Sequence, residues 1–319
     1  MAKGHFSFPL HQLKIHIVSN DPHYLKVLRS NLSFSHRDLP AARKGIRKKI
    51  VLEFEHKRGM KLVHGHSDTT HSLYDMPHLG IFRNIDYKRN RILVRVKRKG
   101  LIPESWMYHY CFLRPLFLFL RKFGMVFVHA SLVAKGGLGT LIMGSAGSGK
   151  STLSIAFLRD GFSYFCDEHP ILTLKGNRVF GLSFVNRIGI PRISMNNFPE
   201  LECYSQWNPI VKKFFVNPDD IAEGDLGSQC RINRIIFPEF SKTGKLKIKK
   251  LTPLELFKKL LKDDYLVPDR RTFNPYEWRL GLKHFAIIGS LANKVKGFSV
   301  RYSPSQIPFL PKILSEFRS

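Results

Sequence analysis

The chain has 319 residues, is 43% hydrophobic and carries a formal net charge of +28. It can bury a sizeable core, which argues against a disordered chain. Its four cysteines, Cys111, Cys166, Cys203 and Cys230, are scattered without a C-x-x-C pair, so they read as buried thiols in a reducing compartment and not as a disulfide framework or zinc site.

No secretory signal opens the sequence. The richest apolar stretch, 106–133, is interrupted by His109, Arg114, Pro115, Arg121, Lys122 and His129, and never reaches the ~18 uncharged residues of a membrane helix. The expectation is a cytoplasmic protein without a membrane span.

Residues 1–102 read as a basic, strand-rich N-terminal domain. Leu13–Val18 and Ile92–Lys97 alternate apolar with polar residues, and Lys49–Glu55 is a third strand. A loop between them holds His64, His66, His71 and His78 beside Asp68 and Asp75. His64-x-His66 can chelate, but the spacing matches no standard metal site, and a polar surface loop is the expectation. Basic runs at Arg43–Lys49 and Arg89–Lys99 favour an acidic partner through long-range attraction. An acidic protein or peptide, nucleic acid and an anionic membrane face all fit, as does a surface merely rich in Lys and Arg. No nucleic-acid-binding motif accompanies the charge.

Residues 103–319 form the second expected domain. Pro103-Glu104-Ser105 opens an aromatic helix, Trp106–Phe123, kinked or split at Pro115 and expected to pack one domain onto the other. Met125–Ala134 reads as one strand, joined by a Gly136-Gly137 turn to Gly139–Met143, so these two strands must be antiparallel. Next comes Gly144-Ser145-Ala146-Gly147-Ser148-Gly149-Lys150-Ser151-Thr152, which fits the phosphate-loop pattern G-x-x-x-x-G-K-[ST]. Backbone N–H groups and the positive end of the following helix, Ser151–Asp160, make such a loop an anion cradle. Lys150 reaches the β/γ-phosphates of a nucleotide, and the Ser151 hydroxyl ligates Mg²⁺.

Phe162–Cys166 is a short strand ending in Asp167-Glu168. Carboxylates at that place hold Mg²⁺, directly or through water, and accept a proton from an attacking hydroxyl. Further strands are expected at Ile171–Leu174, Arg231–Phe237, Lys245–Leu251 and Phe298–Val300, with helices at Pro253–Lys262 and Trp278–Asn293. The fold class is therefore α/β, a mixed sheet with an antiparallel hairpin feeding the phosphate loop. Arg187 and Arg192 are candidate phosphate contacts, equally well read as surface charge.

The order His129-Ala130-Ser131, hairpin, loop, helix, strand and Asp167-Glu168 resembles the HPr kinase/phosphorylase family over about 125–175, and more weakly over 176–319. That family shares a phosphate-binding fold with phosphoenolpyruvate carboxykinases. The resemblance implies ATP or GTP and Mg²⁺ as ligands. It makes Asp167 the general base for a serine hydroxyl, places His129 near the transferred phosphoryl, and gives Lys150 and Ser151 the roles above. Mg²⁺ would be held by Ser151, Asp167 and Glu168. The chain departs from the family pattern where Glu168 replaces a second aspartate and Ala130 a glycine. No arginine-glycine-rich segment is found, although Ser241–Lys245 sits at that place.

The reading is a nucleoside-triphosphate-dependent kinase acting on a hydroxyl, serine in first place, of a protein or peptide. The alternatives are a nucleotide-binding regulator or nucleic-acid-associated protein with weak or no transfer, and a small-molecule kinase. The oligomeric state stays open, a homo-oligomer included.

Overall fold

A computed structural model describes residues 3–32, 48–57, 71–76, 80–97, 102–184, 187–209, 211–221, 226–241, 243–262 and 275–316. The chain forms two compact units, Met1–Val126 with Pro268–His284, and Phe127–Val267 with Phe285–Ser319. The first boundary thus falls at 126/127, not at the expected 102/103.

In the first unit β1 (Gly4–Leu10), β2 (Leu13–Ser19), α1 (Pro22–Leu32), β3 (Lys48–His56), β4 (His71–Met76), β5 (Ile81–Asp86) and β6 (Arg91–Val96) follow one another. The strands make a six-stranded mixed sheet in the order β1-β2-β3-β6-β5-β4. Period-2 alternation sends Ile15, Ile17, Ile50, Leu52, Ile92 and Val94 to one face, where all are fully buried. The expected histidine loop is corrected in part. His71 and Asp75 lie on β4, paired antiparallel with β5, whereas His64, His66, Asp68 and His78 fall outside the described residues.

The aromatic segment is broken into α2 (Glu104–Trp106), a π-helical stretch (Met107–Leu113), α3 (Arg114–Leu120) and a 3₁₀ turn (Arg121–Phe123). Pro115 explains the break. Having no N–H, it leaves the carbonyl of Cys111 without its helical partner, and the chain widens so that the Arg114 N–H bonds back to His109. The buried Tyr24 hydroxyl donates to that Cys111 carbonyl at 3.4 Å. Within its own unit the segment packs on the sheet: Phe112 meets Phe8 at 6.3 Å between ring centroids and Phe119 stacks on Tyr87 at 5.5 Å.

Beyond β7 (Met125–Phe127), the second unit continues with β8 (Ala130–Lys135), β9 (Leu138–Met143), α4 (Lys150–Arg159), β10 (Ser163–Cys166), β11 (Ile171–Lys175) and β12 (Arg178–Leu182). Then come β13 (Ile188–Pro191), α5 (Arg192–Met195), β14 (Gln206–Asn208), β15 (Lys213–Val216), β16 (Gln229–Phe240), β17 (Lys247–Leu251) and α6 (Pro253–Lys262). Finally α7 (Pro275–Lys294), whose halves belong to different units, precedes β18 (Lys296–Tyr302) and α8 (Leu310–Glu316).

The mixed sheet of this unit runs β10-β8-β9-β16-β12-β11, with β18 and then β17 joined to β16. The twelve-residue β16 is its spine, parallel to β9 on one edge. On the other edge β16 is antiparallel to β12 at its start and parallel to β18 at its end. A small sheet, β13-β15-β14, stands apart. The chain is therefore α/β with mixed sheets, and no helix among the described residues is long and apolar enough to cross a membrane.

Candidate functional site

β8 and β9 form the expected antiparallel hairpin, with Ala130 opposite Met143 and Lys135 opposite Leu138. The strand expected over Met125–Ala134 is interrupted, however. The Ala130 N–H turns back to the Val128 carbonyl at 3.1 Å, so His129 sits at the bend before β8 rather than within the strand.

The end of β9 opens the glycine-rich loop, Gly144–Gly149. Gly149 caps α4 at φ +100°, a region that an L side chain enters at a cost. A Cβ there would also lie 2.2 Å from the Tyr302 hydroxyl oxygen. That hydroxyl, on β18, donates to the Gly149 carbonyl at 3.1 Å, so loop and strand are in contact where only glycine fits. Ser145, Ala146 and Gly147 are exposed, and no acidic residue stands in the first turn of α4. The positive end of the helix thus has no acidic side chain of its own beside the loop. The Lys150 ammonium lies across the loop, donating to the carbonyls of Gly144 at 2.6 Å and Ser145 at 3.1 Å.

β10 and β9 both pair antiparallel with β8, so they point the same way and end together. This brings Asp167 beside the start of α4. One of its carboxylate oxygens accepts a hydrogen bond from the Ser131 hydroxyl. The other accepts from the Ser151 hydroxyl at 3.1 Å and from the Gly189 N–H at 3.4 Å. Asp167 is only 1% exposed. Burial, and next the charge of Glu168, push its carboxyl above the usual range, while the hydroxyl of Ser131 and the charge of Lys213 pull the other way.

Glu168 adopts φ +71° and pairs with Lys213 of β15. Burial alone would raise its carboxyl, but the charge and hydrogen bond of Lys213, with the charges of His169 and His129, together outweigh this and hold it at about 2. Lys213 is raised in turn: burial opposes its charge, and Glu168 more than restores it. His129 is lowered to about 4, first by burial and then by Lys150, with Lys213 adding to the effect and Glu168 opposing it. It is therefore neutral at pH 7. These mutual influences gather His129, Lys150, Asp167, Glu168 and Lys213 into one electrostatic cluster.

The structure thus brings together Lys150, Ser151, Asp167, Glu168 and His129, with Ser131 of the His129-Ala130-Ser131 motif, and adds three residues given no role from the sequence: Lys213, Gly189 and Tyr302. Arg187 donates to Gln206 at 2.7 Å, and Arg192 is exposed at the start of α5. Of the 241–245 segment, Lys242 lies outside the described residues and Lys245 is exposed. Cys203 is exposed, contrary to the expectation of four buried thiols.

The residues fit a magnesium nucleotide. Among the described residues no group of three His, Cys, Asp or Glu side chains could hold a metal. Mg²⁺ needs only one or two protein oxygens beside phosphates, and Ser151 and Asp167 offer two at 3.1 Å from each other. The Ser148 hydroxyl in the loop is buried with no hydrogen-bond partner among the described residues, as expected of a polar group that awaits a ligand.

No family model and no curated protein sequence matches the chain. Among solved structures, the HPr(Ser) kinase/phosphatase from Coxiella burnetii is similar, with a TM-score of 0.30 and 19% identity over 60% of this chain and 93% of that chain. At that TM-score the likeness says nothing of function, and the site's own geometry has to carry it.

Proposed function

We propose that the chain is a nucleoside-triphosphate-dependent phosphotransferase that moves the γ-phosphoryl group of ATP or GTP to a hydroxyl, serine in first place, of a protein or peptide. One observation carries this reading: the Ser151 hydroxyl and the Asp167 carboxylate meet at the N-terminus of α4, directly after the glycine-rich loop. A serine following the loop lysine, joined to an acidic residue at the end of a nearby strand, is the pair that holds Mg²⁺ in loop-type phosphotransferases.

When bound there, Mg²⁺ would neutralise charge on the β- and γ-phosphates. The loop N–H groups and the α4 N-terminus would cradle the phosphates, and Lys150 would leave the Gly144 and Ser145 carbonyls for phosphate oxygens. The acceptor oxygen forms the new bond to the γ-phosphorus as the bond to the β,γ-bridging oxygen breaks, the nucleoside diphosphate leaves, and the acceptor proton passes to a carboxylate. The resemblance assigns that proton to Asp167. With its oxygens already taken by Ser131, Ser151 and Gly189, Asp167 suits the metal-holding part better, and Glu168, 32% exposed, is the carboxylate of the pair nearer solvent. His129, neutral at pH 7, adds no positive charge there.

An acidic protein or peptide acceptor matches the net charge of +28. The test is transfer of label from γ-labelled ATP and GTP to acidic serine-containing peptides, with Asp167→Asn and Ser151→Ala as controls. Both variants should lose transfer at least 100-fold. Transfer that survives in both would sink the reading. Nucleotide binding without transfer to any acceptor would favour the regulator instead.

A further inference from the structure

Lys213 opens β15, in the small sheet outside the hairpin and loop on which the sequence reading centred. Its stem runs over Gly189: a Cβ built on Gly189 would lie 3.0 Å from the Lys213 Cδ and 3.6 Å from its Nζ. The Gly189 N–H, in turn, donates to the same Asp167 oxygen that receives the Ser151 hydroxyl. A continuous path of contacts, Ser151 to Asp167 to Gly189 to Lys213, therefore carries a second ammonium to the metal side of the loop. Its head group pairs with Glu168, and both side chains are about one-third exposed, at 30% and 32%, so the pair is open to an incoming ligand.

The charges around this point are out of balance for the ligand proposed above. Lys150 supplies one positive charge, whereas two carboxylates, Asp167 beside Ser151 and Glu168 next to it in the chain, wall the same cluster. A magnesium triphosphate remains anionic, and without another cation these walls would repel it. Lysine suits the task because its ammonium is a point charge on a flexible four-carbon stem, able to change partners without moving the backbone.

Resting on the phosphotransferase reading, we propose that Lys213 is the site's second phosphate-binding cation, turning from Glu168 to the terminal phosphate when a nucleoside triphosphate arrives. Lys150 serves tri- and diphosphates alike, whereas Lys213 makes the site prefer the triphosphate and lets the diphosphate go.

The experiment is equilibrium calorimetry of MgATP and MgADP on the wild type, Lys213→Met, Lys213→Arg and Glu168→Gln, each shown to be folded by thermal melting. Lys213→Met should weaken MgATP at least tenfold and MgADP less than threefold, and Lys213→Arg should recover most of the loss. Glu168→Gln, which frees Lys213 from its partner, should raise the ratio of ATP to ADP affinity. Equal weakening of both nucleotides, or unchanged MgATP affinity in folded Lys213→Met, overturns the proposal. If Lys213→Met does not fold, a ratio that falls in Glu168→Gln overturns it instead. A wild type that binds neither nucleotide overturns the phosphotransferase reading itself, and this inference with it.

Discussion

Replacing Gly149 with alanine tests the contact that holds the glycine-rich loop in place. Two effects act together. An L residue in the left-handed region costs about 1–2 kcal/mol, and Gly149 sits at φ +100°. The new methyl would also overlap the Tyr302 oxygen at 2.2 Å, forcing either a shift of the ring or loss of its hydrogen bond, at about 1–3 kcal/mol for overpacking. The sum for Gly149→Ala is roughly 3 kcal/mol.

Tyr302→Phe alone removes one hydrogen bond, about 1 kcal/mol. In the double variant the overlapping oxygen is gone, and the remaining ring carbon stands at a tight 3.2 Å. The double variant should therefore be more stable than the sum of the single costs by about 1 kcal/mol or more. Urea denaturation followed by circular dichroism gives the midpoints, read on the transition that Tyr302→Phe alone shifts, since a chain of two units need not unfold in one step. Strictly additive costs, or a Gly149→Ala variant within about 0.5 kcal/mol of wild type, would refute the reasoning.

Three further outcomes are expected. His129 has a folded pKa of about 4 against an ordinary 6.5, so the unfolded chain binds its proton first and stability must fall as pH drops from about 6.5 towards 4; melts of His129→Gln across that range should lack this component. Tyr24→Phe leaves the Cys111 carbonyl buried without its donor and should cost about 1–3 kcal/mol. Adding Pro115→Ala, which restores an N–H four residues on, should return part of that in denaturant titrations. A thiol reagent should modify Cys203 in the native protein but reach Cys111, Cys166 and Cys230 only after unfolding, because those three are buried; mass spectrometry of the labelled peptides reads this directly.

The core of the second unit was legible because its signals are local. The hairpin, the loop, α4 and β10 are contiguous in sequence, and strand periodicity with glycine punctuation marks each of them. Lys213 was not legible for the opposite reason. It lies 45 residues from Glu168, on a four-residue strand too short to show a period. His129 was read as strand because its neighbours are apolar, while the turn that removes it from the strand is a single backbone hydrogen bond that side chains do not announce. In the first unit α1, β1 and β5 stand where no element is expected and β4 stands in the expected loop; the π-helical stretch replaces a simple kink because the partner that makes it tolerable, Tyr24, is 87 residues from Cys111.

The bond from Tyr302 to Gly149 spans 153 residues of chain, and this sets an order on biosynthesis. Translation at about 5–20 residues per second leaves the loop waiting roughly 8–30 s after it leaves the ribosome before its supporting strand exists. Until then β16 also lacks its parallel neighbour β18, and Gly149 is held by the Leu153 N–H of α4 without the Tyr302 hydroxyl. A nascent or prematurely terminated chain would carry the complete loop sequence without the strand that supports Gly149.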